Sequence, residues 1–138
     1  MTAGAALLDT DTLSEIIKGR DLATQRSAQD YLRRFQRFQF SIITRYEILR
    51  GLMAKDAVAQ VRAFEQQCQE STVLALSDEV VTEGAEIFAT LRKRGEIISD
   101  ADILIAATAL VHGLALITNN LEHFRRVRDL RVETWRSP

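Results

Sequence analysis

The chain has 138 residues, 46% of them hydrophobic, enough for one domain with a real core and short for two. Its 18 Lys and Arg against 19 Asp and Glu leave a formal net charge of -1, which excludes a strong whole-molecule attraction to nucleic acid and leaves any such contact to local basic patches. A single cysteine, Cys68, excludes an internal disulfide, and neither a basic N-terminal leader nor an apolar run of membrane-spanning length is present, so a cytoplasmic protein with no membrane contact is expected.

In chain order, residues 5–8 form a short apolar run between Gly4 and Asp9 and predict a first, buried strand. A helix over 12–18 follows, with Gly19 at its left-handed C-terminal position. Tyr31, Leu32 and Phe35 recur at helical spacing within 27–37, and Phe38, Phe40, Ile42 and Ile43 predict a second strand. Residues 44–55 and 57–69 are helical in pattern and form a hairpin interrupted at Lys55-Asp56, with exposed faces available for self-association. A third strand over 73–76 leads to a helix capped by Ser77, running through Lys93 and ended by Gly95. A strongly apolar helix over 101–112 closes at Gly113, a fourth strand spans 114–117, and residues 132–135 add a last edge strand that Trp135 packs against the domain. Strands alternating with helices imply a mostly parallel central sheet covered on both faces, an α/β fold in which residues 1–138 form one domain.

Three acidic motifs, Leu8-Asp9-Thr10-Asp11, Thr44-Arg45-Tyr46-Glu47 and Ser99-Asp100-Ala101-Asp102, fall where an apolar run gives way to a helix start. In a parallel sheet such positions converge on one crevice, where carboxylates can share a hard divalent cation, and phosphodiester hydrolysis is the usual chemistry of such a cluster. A plainer reading stands beside this one. Thr44-x-x-Glu47 and Ser99-x-x-Asp102 both satisfy the capping-box pattern, in which the acid serves backbone N–H groups of the first turn. Asp9, directly after a strand, has less structural work available than those two, an Asx turn being its alternative. The run Asp9-Thr10-Asp11-Thr12-Leu13 also partly fits the signature of haloacid-dehalogenase-like phosphatases, although Leu13 breaks that pattern and the chain is short for that fold. His112 and His123 lack ligand spacing with Cys68, which argues against zinc and reads them as surface or helix-end residues.

Taken together, Leu8-Asp9-Thr10-Asp11, the stretch from Ser41 through Gly51 that contains Glu47, Asp102-Ile103-Leu104-Ile105-Ala106-Ala107, and Ile117-Thr118-Asn119-Asn120 followed by Phe124 resemble the PIN-domain ribonucleases, and within them the VapC toxins of bacterial toxin–antitoxin pairs. The resemblance spans nearly the whole chain. It implies a three-layer α/β/α fold with a short, mostly parallel sheet, and a Mg²⁺-dependent, or Mn²⁺-dependent, endoribonuclease. It makes Asp9, Glu47 and Asp102 the metal-binding acidic triad, with Asp100 as a fourth carboxylate. Thr118 then orients the site through its hydroxyl, and Asn120 stands where many PIN domains carry Asp. It further implies an RNA substrate, a VapB-like antitoxin, and a homodimer that becomes a heterotetramer or larger assembly with that antitoxin.

The competing class is a catalytically weak PIN-fold binding module. Asn120, which adds no charge, favours it, and the retained Asp9, Glu47 and Asp102 oppose it. The basic clusters Arg33, Arg34 and Arg37, then Arg92-Lys93-Arg94, then Arg125, Arg126 and Arg128 are either solvated faces or an RNA track, while Arg45 and Arg50 flank Glu47. The stripe Val58, Val61, Phe64 and Cys68 serves either the core or a dimer interface.

Overall fold

The computed structural model describes residues 4–138. In chain order its elements are β1 (Ala6–Leu8), α1 (Thr10–Lys18), α2 (Leu22–Phe35), β2 (Gln39–Ser41), α3 (Ile42–Ala54), α4 (Val58–Gln69), β3 (Thr72–Leu74), α5 (Asp78–Lys93), α6 (Asp100–Val111), β4 (Ala115–Ile117), α7 (Leu121–Phe124) and β5 (Val132–Glu133). β1 pairs in parallel with β4, setting Leu8 opposite Ile117, and β4 pairs in parallel with β5 at the edge. β2 and β3 form a second parallel pair, and β2 packs beside β1.

Alternation along the strands sends side chains to two faces, and each face has its own core. Leu7 and Leu116 join Val80, Ile87, Leu91, Ile103 and Phe124 beneath α5, α6 and α7. Ala6, Leu8 and Ile117 join Leu13, Tyr31, Phe40, Ile48, Leu49, Phe64 and Trp135 on the side of α1 to α4. The result is the three-layer α/β/α arrangement. Tyr31 ties α2 to β1 through its hydroxyl, which accepts from the Ala6 amide at 3.0 Å, and its ring meets Trp135 at 5.6 Å. Gly84 lets α5 and α6 approach closely, since a Cβ there would lie 3.2 Å from the Leu104 side chain.

Several boundaries differ from the sequence-based expectation. α1 begins two residues early because Asp9 caps it, accepting from the Thr10 amide at 2.8 Å, so Asp9 carries structural work after all. α2 starts at Leu22 under the cap Asp21, well before residue 27. The second strand ends at Ser41, and Ile42 and Ile43 open α3, because the Ser41 hydroxyl accepts from the Ile43 amide. β3, α6, β4 and β5 each shift by one or two residues, and Trp135 lies beyond the last strand. Of the hairpin stripe, Phe64 is core, Val61 and Cys68 are partly buried against it, and Val58 is exposed. Gly19 ends α1 at φ 66, as expected. No helix among the described residues is long and apolar enough to cross a membrane.

Candidate active site

The carboxyl ends of β1 and β4 lie side by side, which brings Asp9 and Thr118 together although 109 residues separate them. The Asp9 amide extends the ladder to the Ile117 carbonyl at 2.8 Å, so the acid sits at the sheet edge with 5% of its surface exposed. Its Oδ2 accepts from the Thr118 hydroxyl at 2.8 Å, and that hydroxyl accepts from the Asn120 amide at 3.0 Å, which fixes its donor direction. Burial, then the negative charges of Asp11 and Asp102, push the Asp9 carboxyl up to about 7, against the lowering effect of its bonds to Thr118 and Thr10.

Asp11, in the first turn of α1, accepts from the Asn119 amide at 3.2 Å, and burial raises its carboxyl above the usual range. The sequence reading assigns Asp9, Glu47, Asp102 and Asp100 to the metal and leaves Asp11 out. The signal was there, since Asp11 lies two residues from Asp9 across the first turn of a helix that opens at the strand end.

Glu47 arrives from α3. The Thr10 hydroxyl donates to its Oε1 at 2.6 Å and stands 3.0 Å from the Thr44 hydroxyl, so the carboxyl ends of β1 and β2 face the same crevice. This overturns the capping-box reading of Glu47: Ser41 is the cap, Thr44 is inside the helix, and the carboxylate serves a hydroxyl of another element. Arg50 is the nearest cation to Glu47, 3.8 Å from Oε2, whereas Arg45 turns away to make a two-bond contact with Glu65 on α4.

Asp102 lies in the first turn of α6. Half of its capping box is present, since the Ser99 hydroxyl accepts from the Asp102 amide at 3.2 Å. The carboxylate itself goes elsewhere: its Oδ2 lies 2.9 Å from Nε2 of His123. His123 lies in the last turn of α7, as the helix-end reading has it, with its side chain half-buried in the site region, while His112 caps the C-terminus of α6. Asp100 is exposed at the start of α6 and makes no hydrogen bond or ion pair among the described residues, and the Asn120 side chain is exposed. Thus Asp9 bonds to Thr118 and feels the charges of Asp11 and Asp102, Glu47 reaches the same edge through Thr10, and Asp100 and Asn120 are exposed.

The basic clusters sort differently. Arg37 donates to the carbonyls of Gln69 and Ser71 and so ties the α2–β2 connection to the segment before β3. Arg94 donates to the Arg126 carbonyl, and both guanidinium groups face Glu96, which brings two clusters distant in sequence together.

As the side chains stand, no three His, Cys, Asp or Glu groups among the described residues form a ready cage for an ion. The carboxylates are instead engaged by Thr118, Asn119, Thr10 and His123. The donor set is nonetheless all hard oxygen, and Asp9, whose carboxyl is raised mainly by burial, also feels the negative charges of Asp11 and Asp102. These groups fit a small dication.

A parallel sheet with acids at its carboxyl edge fits a PIN domain, and residues 6–130 match that family. Ribonuclease VapC1 of Haemophilus influenzae strain R2866 is 30% identical over 94% of this chain and 96% of its own length. DNA-bound VapBC from Salmonella typhimurium superposes with a TM-score of 0.80 at 27% identity, over 95% of this chain and 98% of that one. VapBC2 from Rickettsia felis, bound to a DNA fragment from its promoter, shares the fold with a TM-score of 0.84 at 22% identity, over 96% and 99% of the two chains. The chain belongs to the PIN-domain family, among its VapC proteins. The haloacid-dehalogenase alternative falls with that match.

Proposed function

We propose that this protein is a divalent-cation-dependent endoribonuclease, using Mg²⁺ or Mn²⁺, and the toxin of a toxin–antitoxin pair. The observation that carries the chemistry is Asp9: a carboxyl 5% exposed, raised to about 7 by burial and by neighbouring acids, at the meeting point of two parallel strand ends. A structural cap has no need of those neighbours. Asp9, Glu47 and Asp102, with Asp11 beside them, would hold the cation, which supplies Lewis acidity toward a phosphodiester. Thr118 keeps Asp9 in place, and Thr10 does the same for Glu47. Asp100 and Asn120, both exposed, would meet substrate or position water.

The ribonuclease relative and the VapBC complexes support the toxin role. On that reading a VapB-like antitoxin restrains the enzyme by setting a basic side chain against the acids. The protein forms a homodimer that assembles further with its antitoxin. The exposed Tyr46, Met53 and Val58 on the α3–α4 hairpin are apolar surface available for such contacts.

The test is cleavage of an RNA pool by purified protein. Products that appear with Mg²⁺ or Mn²⁺, vanish in excess EDTA and return on adding the cation support the proposal. Cleavage that persists unchanged in chelator would sink it.

A further inference from the structure

Asp102 is gripped on one oxygen only. Its Oδ2 lies 2.9 Å from His123 Nε2, and its Oδ1 carries no hydrogen bond among the described residues. The histidine is itself firmly placed. α7 is only four residues long, but Phe124 anchors it in the core at 1% exposure, and the His123 ring meets the Phe124 ring edge-on at 5.6 Å. The contact joins α7, which follows β4, to the first turn of α6 across a separation of 21 residues. The two side chains are 23% and 27% exposed, so the contact is largely shielded from solvent.

We infer that His123 is a positioning residue: by holding Oδ2 of Asp102 it leaves Oδ1 as the oxygen offered to the cation. This rests on the metal-dependent function proposed above. Carboxylates that ligate metals are commonly oriented by such outer partners, whose loss weakens metal binding by roughly 10- to 100-fold. The contact requires only an N–H on Nε2, so a neutral imidazole suffices. The opposite role, a histidine that occupies Asp102 and competes with the metal, makes the opposite prediction.

Mn²⁺ binding to the purified protein, followed by the electron paramagnetic resonance signal of the free ion, distinguishes them. His123→Ala should weaken Mn²⁺ binding by about tenfold or more. His123→Gln carries an N–H at similar reach and should recover most of that loss, and in cation-free buffer both variants should melt like the wild type. In an Asp102→Asn background, His123→Ala should change Mn²⁺ affinity no further, because its effect passes through that carboxylate. Equal or tighter binding by His123→Ala, no recovery by His123→Gln, or an undiminished effect in the Asp102→Asn background overturns the assignment. Wild-type protein that binds no Mn²⁺ overturns instead the functional reading beneath it, and the assignment with it.

Discussion

Two regions of this molecule depart from the usual sorting of polar and apolar groups, in opposite directions. At the carboxyl edge of the sheet Asp9, Thr12, Ser41, Thr44 and Thr118 are buried, while on the outer faces of α3, α4 and α5 Tyr46, Met53, Val58, Val81 and Phe88 are exposed. The departures do not carry equal weight. Exposed apolar side chains are ordinary on any protein surface, because there is not enough polar surface to cover it. A buried acid is not ordinary. Every buried side-chain nitrogen and oxygen among the described residues has a hydrogen-bond partner, yet Asp9 and Asp11 still sit above the usual carboxylate range. Hydrogen bonds satisfy the atoms, but burial still penalises the charged form, and at Asp9 the neighbouring acids add to that penalty.

The largest expected effect contrasts buried and exposed positions on one helix. Phe64→Ala should cost about 3–5 kcal/mol in chemical denaturation, as a large buried ring does. Val58→Ala on the same helix should stay within about 0.5 kcal/mol. Comparable losses would mean that the outer face of α4 is packed.

Next comes pH. With its folded carboxyl at about 7 and an unfolded value of 3.8, Asp9 keeps a proton in the native state that the unfolded chain has released. The contribution of Asp9 to stability in cation-free buffer should therefore be fully present below about pH 4, fall as pH rises toward 7, and level off beyond. At about 1.4 kcal/mol per pKa unit the fall attributable to Asp9 is a few kcal/mol. Melting curves of wild type and Asp9→Asn across that window check it, and the variant should show the shallower slope. Asparagine keeps a cap for α1, so the helix itself is not at stake.

Thr10→Val should act more locally. It removes the donor to Glu47 and should lower cleavage by about tenfold, with a stability change of roughly 1 kcal/mol. Turnover measured beside the melting temperature separates the two effects. The smallest effect is expected at Phe88→Ser on the exposed face of α5, within about 0.5 kcal/mol by denaturation.

Apart from α7, a four-residue helix too short for a periodic pattern, the order of strands and helices was legible because their apolar runs are short and bounded by Gly, Asp or Ser. What failed was local. Ile42 and Ile43 continue an apolar run, and periodicity cannot distinguish the end of a strand from the buried first turn of a helix, which the Ser41 cap decided. The start of α2 was hidden because Leu22, 70% exposed, carries no apolar stripe into the pattern. In the site, Asp9, Glu47, Asp102 and Thr118 stood out by motif, whereas the partners of two of them did not. Thr10 and His123 reach across to other elements, and a contact between residues 37 or 21 positions apart leaves no periodic trace. Glu47 was open to a capping reading only because Thr44 imitates a cap whose true holder lies three residues earlier.

The most direct test of the central claim, that the acids at the sheet edge act together on RNA through a divalent cation, sets wild type beside Asp9→Asn in a cleavage assay titrated with Mn²⁺. Product should rise with Mn²⁺ for the wild type, while the folded variant should lose at least about a hundredfold in rate, the scale on which removal of one charge-stabilising group acts. An Asp9→Asn protein that cleaves at the wild-type rate, with the same Mn²⁺ dependence, would contradict the account.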